Sequence, residues 1–401
     1  MMTILCLASY IKGHDFLRTA KRLGCRVLLL TSESLRDEAS QGWPPRDGID
    51  EVFYTQDDQK AWNREWVLNQ VSWIARTHHI DRIVGLDDFD VETAAYLREH
   101  LRMPGIGDTQ VRYFRDKLAM RTKARSSGIP VPEFCPVFHY GDLTQFMRTV
   151  PAPWLLKPRS MAGAIGIRKI HEERELWPVL EQLGDLQSHY LLEQFVRGDI
   201  FHVDTIVHGG EIKFAVASGY GRPPLQVSHE GGIFTTRVLN RDLDITRELH
   251  AANGRVLASF GLLNGVSHTE FIGVHATGDV LFLETSARVG GAHIADLVEA
   301  ATGINLWSEW ARVECSSAGY EVTPPRAEYA GLLVSLARQK HPDTSAYTDP
   351  EIVWRMDRDN HVGLIARSIS ELRIQQLLDM WIERVGLDFH ASAPPRNKPS
   401  A

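Results

Sequence analysis

The sequence lacks the features that announce most specialised chains. Its four cysteines, Cys6, Cys25, Cys135 and Cys315, are scattered over 401 residues with no C-x-x-C pair. That spacing argues against a disulfide framework and a zinc site, and a reducing compartment is expected. No apolar run approaches the ~18 residues of a membrane-spanning helix. The opening MMTILCLASYIKGHDF has neither a basic region before its apolar stretch nor a small-residue cleavage site after it, so it reads as a first strand, not a signal peptide. A cytoplasmic protein without a membrane partner is the expectation. The 44 basic and 51 acidic residues give a net charge of −7 with no basic stripe, so no nucleic-acid partner is expected. After the first strand only Gly13 stands where G-x-G-x-x-G would mark dinucleotide binding, and no P-loop is present.

What is present begins with TILCLAS (3–9), an amphipathic DFLRTAKRLG (15–24) and RVLLLT (26–31). Short continuous apolar runs separated by helical patterns predict a doubly wound α/β domain with a parallel sheet. Helices at 66–79 and 90–101 and a strand at 81–87 complete the first hundred residues. A basic amphipathic helix over 112–127 is stopped by Gly128, Pro130 and Pro132, near a domain boundary. Beyond 133 the pattern turns to α+β: short strands at 154–158, 190–195, 201–219 and 268–285, with VHGGEI and VHATGDV as hairpin turns. Strands and one helix fill 325–388, and the tail ASAPPRNKPSA has the composition of disorder.

Three stretches carry chemistry. In the hairpin 268–286, a turn at Thr277–Gly278 sets Glu270 opposite the Glu284–Thr285 pair. Like charges directly opposite each other are destabilising, and a divalent cation between them resolves the conflict; all-oxygen ligation points to magnesium or manganese. Ser286 shares a face with Glu284 and adds a hydroxyl. The alternative places both glutamates on the solvent side of an edge hairpin, bridged to Arg288 or to nothing. In LLKPRSMAGAIGIRKI (155–170), Lys157 ends a strand before a loop containing Gly163 and Gly166, which suits phosphate oxygens; an ordinary turn with a surface lysine is the alternative. In YLLEQFVRGDIFHVD (190–204), the strand carrying Glu193 leads to a linker, 194–196, that offers backbone donors and acceptors to a heterocycle.

The ordered set of Lys117 in RDK, GIPVP, Lys157 before its glycine loop, LLEQFVRG, HTEF and LETSARVGG resembles the ATP-grasp superfamily over about residues 1–310. The remaining lobe resembles its carboxylase-like branch. The resemblance implies a pre-ATP-grasp domain at 1–110, a small lobe at 111–190, a large lobe with a carboxyl-terminal subdomain at 191–390 and a tail at 391–401. It implies ATP with Mg²⁺ or Mn²⁺: Lys117, Lys157 and Gly163 at the phosphates, Glu193, Gln194 and Val196 at the adenine, Glu270, Glu284 and Ser286 on the metal, and Arg288 at the reacting carbonyl. Two positions depart from the family pattern. Ser286 stands where asparagine is frequent, and Ile200 stands where many members have a ribose-binding acid, a role that then falls to Asp199 or Asp204. Within the superfamily the chain is most similar to L-amino-acid ligases, which implies that a small carboxylate is activated as an acyl phosphate and joined to an amine. In SHEGGIFTTRVL (228–239), His229 and Glu230 are candidates for the amino group, unless the stretch is a plain glycine-bearing loop. A non-catalytic ATP-binding module and a biotin-dependent carboxylase component are the competing readings, and a homodimer is compatible with all of them.

Overall fold

A computed structural model describes residues 1–36, 42–58, 61–316 and 319–392, with the backbone alone for 228–230. Strands β1 (Thr3–Ala8), β2 (Arg26–Ser32), β3 (Glu51–Thr55) and β4 (Arg82–Gly85) form a parallel sheet in the order β3-β2-β1-β4. Period-two alternation divides β1 between two cores. Ile4, Cys6 and Ala8 pack with Phe16, Leu17 and Ala20 of α1 (His14–Arg22). Leu5 and Leu7 face Val67, Val71 and Ile74 of α2 (Arg64–Ile74) and Ala94 and Leu97 of α3 (Asp88–His100). Helices on both faces are what the doubly wound pattern requires. α3 comes so near β4 that a Cβ at Gly85 would lie 2.6 Å from the Asp90 carbonyl carbon. In such sheets ligands gather beyond the carboxyl ends of the strands; here those ends present Tyr10, Lys12, Asp87 and Asp88.

The helix expected over 112–127 is broken. After α4 (Asp108–Val111), a 3₁₀ turn covers Arg112–Phe114, and α5 (Lys117–Ser126) starts afresh. The Asp116 carboxylate accepts the Leu118 and Ala119 N–H groups at 2.9 and 3.3 Å, an N-cap that makes Lys117 the first residue of the new helix.

Strands β5 (Phe134–Pro136), β6 (Trp154–Pro158), β7 (Arg168–Ile170) and β8 (Tyr190–Gln194) make a small antiparallel sheet, β5-β8-β6-β7. This sheet continues past residue 190. It is covered by α6 (Tyr140–Thr149) and α7 (Glu173–Leu183) through Leu143, Phe146, Leu176 and Leu180. The large sheet opens with the hairpin of β9 (Gly198–His208) and β10 (Glu211–Tyr220), whose turn glycines Gly209 and Gly210 have φ of 63° and 77°. Helix α8 (Pro224–Glu230) and strand β11 (Phe234–Val238) occupy what reads in sequence as a loop; the side chains of His229 and Glu230 lie outside the described residues. Helix α9 (Asp244–Phe260), β12 (Gly265–Val274), β13 (Val280–Ser286), α10 (Ile294–Thr302) and α11 (Leu306–Cys315) follow. Strands β14 (Tyr329–Leu336), β15 (Ile352–Arg355) and β16 (His361–Ser368) and helix α12 (Glu371–Asp388) complete the order β13-β12-β9-β10-β11-β14-β16-β15, antiparallel throughout. The tail expected at 391–401 lies outside the described residues from 393 onward.

All four cysteines are unbridged thiols, yet folding brings Cys25 and Cys315 to an Sγ–Sγ separation of 3.0 Å across the junction of β2 and α11. Among the described residues no helix is long and apolar enough to cross a membrane.

Trp381 of α12 is fully buried among Leu333, Leu364, Leu377 and Val385, and its indole N–H donates to Asp349 at 3.0 Å. Trp381→Ala is expected to cost about 3–5 kcal/mol, read as a lower urea midpoint for the unfolding of this lobe; a loss under about 1 kcal/mol would contradict the packing described.

Candidate functional site

One cleft of about 1120 Å³ is lined from all three sheets. Its floor is the β12–β13 hairpin. There the register pairs Glu270 with Glu284 but Phe271 with Phe282, leaving Leu283 as an unpaired extra residue. This β-bulge decides which way the strand faces. Strict alternation would put Phe282 and Glu284 on one side; with the bulge, Phe282 and Phe271 enter the apolar core while Glu270, Glu284 and Ser286 line the cleft. The Leu283 carbonyl accepts a hydrogen bond from Arg121 Nη1.

Each of the paired glutamates has cationic or hydrogen-bonding support. Lys117 Nζ lies 2.7 Å from Glu284 and donates to the Met161 carbonyl at 2.7 Å, tying α5 to the glycine loop. Glu270 accepts the Tyr220 hydroxyl at 2.7 Å and faces His268 Nε2 at 3.6 Å. Behind it runs a buried chain. His268 Nδ1 lies 2.9 Å from Asp204 Oδ1, His202 Nδ1 lies 2.7 Å from Asp204 Oδ2, and His202 Nε2 lies 2.8 Å from the Thr236 hydroxyl. Burial alone would pull His268 down; the Asp204 carboxylate overrides it and lifts the imidazole to about 9. Asp204, which burial would raise, is held well below the carboxylate range by His268 and His202. These three are, among the described residues, the grouping with metal-ligand spacing, but their nitrogens and oxygens already bond one another.

The second buried group joins the small sheet to α5. Glu193 of β8 receives Arg121 Nε and Nη2 at 2.7 Å on one oxygen and Lys157 Nζ of β6 on the other. Burial would raise the Glu193 carboxyl, but Arg121 and Lys157 keep it below the ordinary value. Its carboxylate is therefore engaged by two cations instead of facing a heterocycle. Gly163, Gln194 and Val196 line the cleft; Asp199 does not. Asp199 is exposed and sits 3.1 Å from His275 Nε2, while the other ribose candidate, Asp204, is sealed between two histidines.

At the rim, Arg288 Nε donates to Asp88 Oδ2 at 2.7 Å and Nη1 to the Val289 carbonyl at 2.9 Å. Asp88, at the first position of α3, also faces Arg115 at 3.7 Å. Burial would raise Asp88; Arg288 and Arg115 hold it far below the usual range. Asp88, Arg121, Tyr220 and His268 are among the cleft residues that sequence reasoning missed. The acidic Asp87–Asp88 pair directly after an apolar strand and the four-residue step from Lys117 to Arg121 on one helix face were the signals available.

An all-oxygen pair of carboxylates facing a cleft, with a hydroxyl from Ser286 beside them and amines from Lys117 and Lys157 above, fits a small divalent cation together with a polyphosphate.

No family model matches the chain. A solved L-amino acid ligase from Bacillus licheniformis superposes with a TM-score of 0.75 at 17% identity, covering 97% of this chain and 98% of that one. The chain has the ATP-grasp fold. Among the chain's sequence relatives, an L-arginine-specific L-amino acid ligase of Bacillus subtilis is 28% identical over 58% of the chain and 57% of its own length. An alanine–anticapsin ligase of Bacillus subtilis is 23% identical over 64% of the chain and 58% of its own. The chain thus spans under three fifths of the length of these two curated relatives.

Because the folded-state pKa of Glu193 is depressed, its pairing contributes stability above the ordinary glutamate range near pH ~4.3. That contribution is lost as the pH falls through the lower folded value. Glu193→Gln, which leaves Arg121 and Lys157 facing a neutral amide, is expected to cost about 3–5 kcal/mol at pH 7. The gap from wild type should narrow in denaturation curves taken below pH ~4. A gap independent of pH would refute the assigned charge state.

Proposed function

We propose that this protein is an ATP-dependent carboxylate–amine ligase. On this reading residues 1–110 form the domain preceding the ATP-grasp lobes, and the nucleotide lies between the small sheet and the large one. The observation that carries it is the Glu270–Glu284 pair turned into the cleft by the bulge, with Lys117 on one of its carboxylates and Arg288 at the rim. The named ligase relatives support the same chemistry.

Lys117, Lys157 and the backbone around Gly163 would hold the phosphates. Gln194 and Val196 would offer backbone groups to the adenine edge, with Glu193 stiffening that linker through Arg121 and Lys157. Asp199 would need to turn from His275 to reach the ribose. Glu270, Glu284 and the Ser286 hydroxyl would hold Mg²⁺ or Mn²⁺, which would supply charge neutralisation at the transferring phosphoryl group. A carboxylate oxygen of the substrate attacks the γ-phosphorus, the bond to ADP breaks and an acyl phosphate forms. The amine nitrogen then attacks the carbonyl carbon, and phosphate leaves as the amine proton is lost. Arg288, held in place by Asp88, would stabilise the oxyanion that forms in this second step. An ATP-consuming reaction fits the cytoplasmic compartment expected from cysteine usage.

The test is phosphate release from ATP and Mg²⁺ in the presence of pools of amino acids and small acids. Some pool should raise ADP and phosphate above the ATP-only background. Glu284→Ala should abolish that release with the melting temperature largely kept, and Arg288→Met should lower kcat about 10²–10³-fold. ATP binding without stimulation by any pool would exclude ligation of these substrates and leave a binding module.

A further inference from the structure

A second cavity, of about 330 Å³, lies between the carboxyl-terminal half of α3 and the end of α11, and it shares no lining residue with the cleft. Its size falls at the lower end of ordinary small-molecule pockets. Three charged side chains line it: Arg98 from α3, Arg82 from the start of β4 and Glu314 from α11.

Arg98 and Glu314 lie close enough to sense each other's charge, yet among the described residues neither makes an ion pair within 4.0 Å. Arg98 donates through Nε to the Ala94 carbonyl at 3.3 Å, which leaves its terminal nitrogens to the cavity. Glu314 accepts the Trp310 indole N–H at 3.1 Å. Arg82 turns one nitrogen to the Asp81 carbonyl at 2.9 Å. The guanidinium passes close to the backbone of the loop before α4: a Cβ on Gly105 would lie 2.7 Å from Arg98 Nη1. Burial raises the Glu314 carboxyl and lowers the Arg98 guanidinium, as expected of charges whose counter-ion is near but not in contact.

Opposite charges half-buried on the wall of one cavity and held apart are costly unless something satisfies both. A simple anion would suit the arginines and be repelled by Glu314; a simple amine would do the reverse. We infer that this cavity is a second binding site, for a zwitterionic α-amino acid whose carboxylate lies on Arg98 and Arg82 and whose ammonium lies on Glu314. The inference does not depend on the ligase reading, since no residue of the cleft takes part.

The experiment titrates the full chain, without nucleotide, with glycine, L-alanine and L-glutamate, and with acetate and methylamine as half-ligands, by calorimetry and tryptophan emission. Saturable binding of at least one amino acid is expected, at least about tenfold tighter than either half-ligand and weakened about tenfold or more in Arg98→Met and in Glu314→Gln. ATP binding by the same variants checks their folding. Trp310→Phe should remove the emission change while the heat remains, which locates the ligand even if a charge variant misfolds. No binding by any of the three amino acids overturns the proposal, as does unchanged affinity in both charge variants or acetate binding as tightly as alanine.

Discussion

Two carboxylates face each other on neighbouring strands at the floor of the cleft, and the surroundings of that pair are organised around its charge. Unsupported, Glu270 and Glu284 would repel across the ladder. Instead, Tyr220 and His268 attend one and Lys117 the other, and each supporting group is anchored in turn: His268 by Asp204, Lys117 by the Met161 carbonyl and by the cap that starts its helix. The pair reaches the cleft because one residue, Leu283, is bulged out of the strand.

The same demand for paired charge links the three sheets. Arg121 bonds both Glu193 of the small sheet and the bulged Leu283 carbonyl of the large one, so the geometry of the hairpin is communicated to the linker that follows β8. Arg288 leaves the end of β13 to meet Asp88 at the carboxyl edge of the parallel sheet. Each contact is charge-assisted and poorly hydrated, the setting in which such bonds are strong and their loss is expensive. A site assembled from these pairs has its charged groups positioned by partners of the protein's own, the kind of preorganisation that electrostatic catalysis draws on.

Much of the cleft was legible in the sequence because its residues stand at strand ends with recognisable periodicity. The hairpin arithmetic set Glu270 against the Glu284–Thr285 pair, of which Glu284 is the observed partner, and the glycine-rich loop after Lys157 lies on the cleft wall. Less legible was what each charge would touch. The resemblance sets Glu193 at the adenine edge, yet its carboxylate is buried between two cations, because Arg121 arrives from a helix 72 residues earlier. Asp199 and Asp204 are the two acids the sequence offers for a ribose, but Asp199 is exposed against His275 and Asp204 is sealed between two histidines. A single helix over 112–127 was expected because periodicity does not register a break; the Asp116 carboxylate makes that break by capping a second start.

The sequence by itself determined most of the element types, the parallel first sheet and the identity of most charged residues in the cleft, since these follow from local periodicity, turn chemistry and side-chain type. Only the tertiary structure decided the bulge at Leu283, the joining of Arg288 to Asp88 across 200 residues, and the cavity that holds Arg98 apart from Glu314. Those outcomes depend on how separately formed layers meet, where desolvation and counter-charge are settled between residues that no local pattern connects.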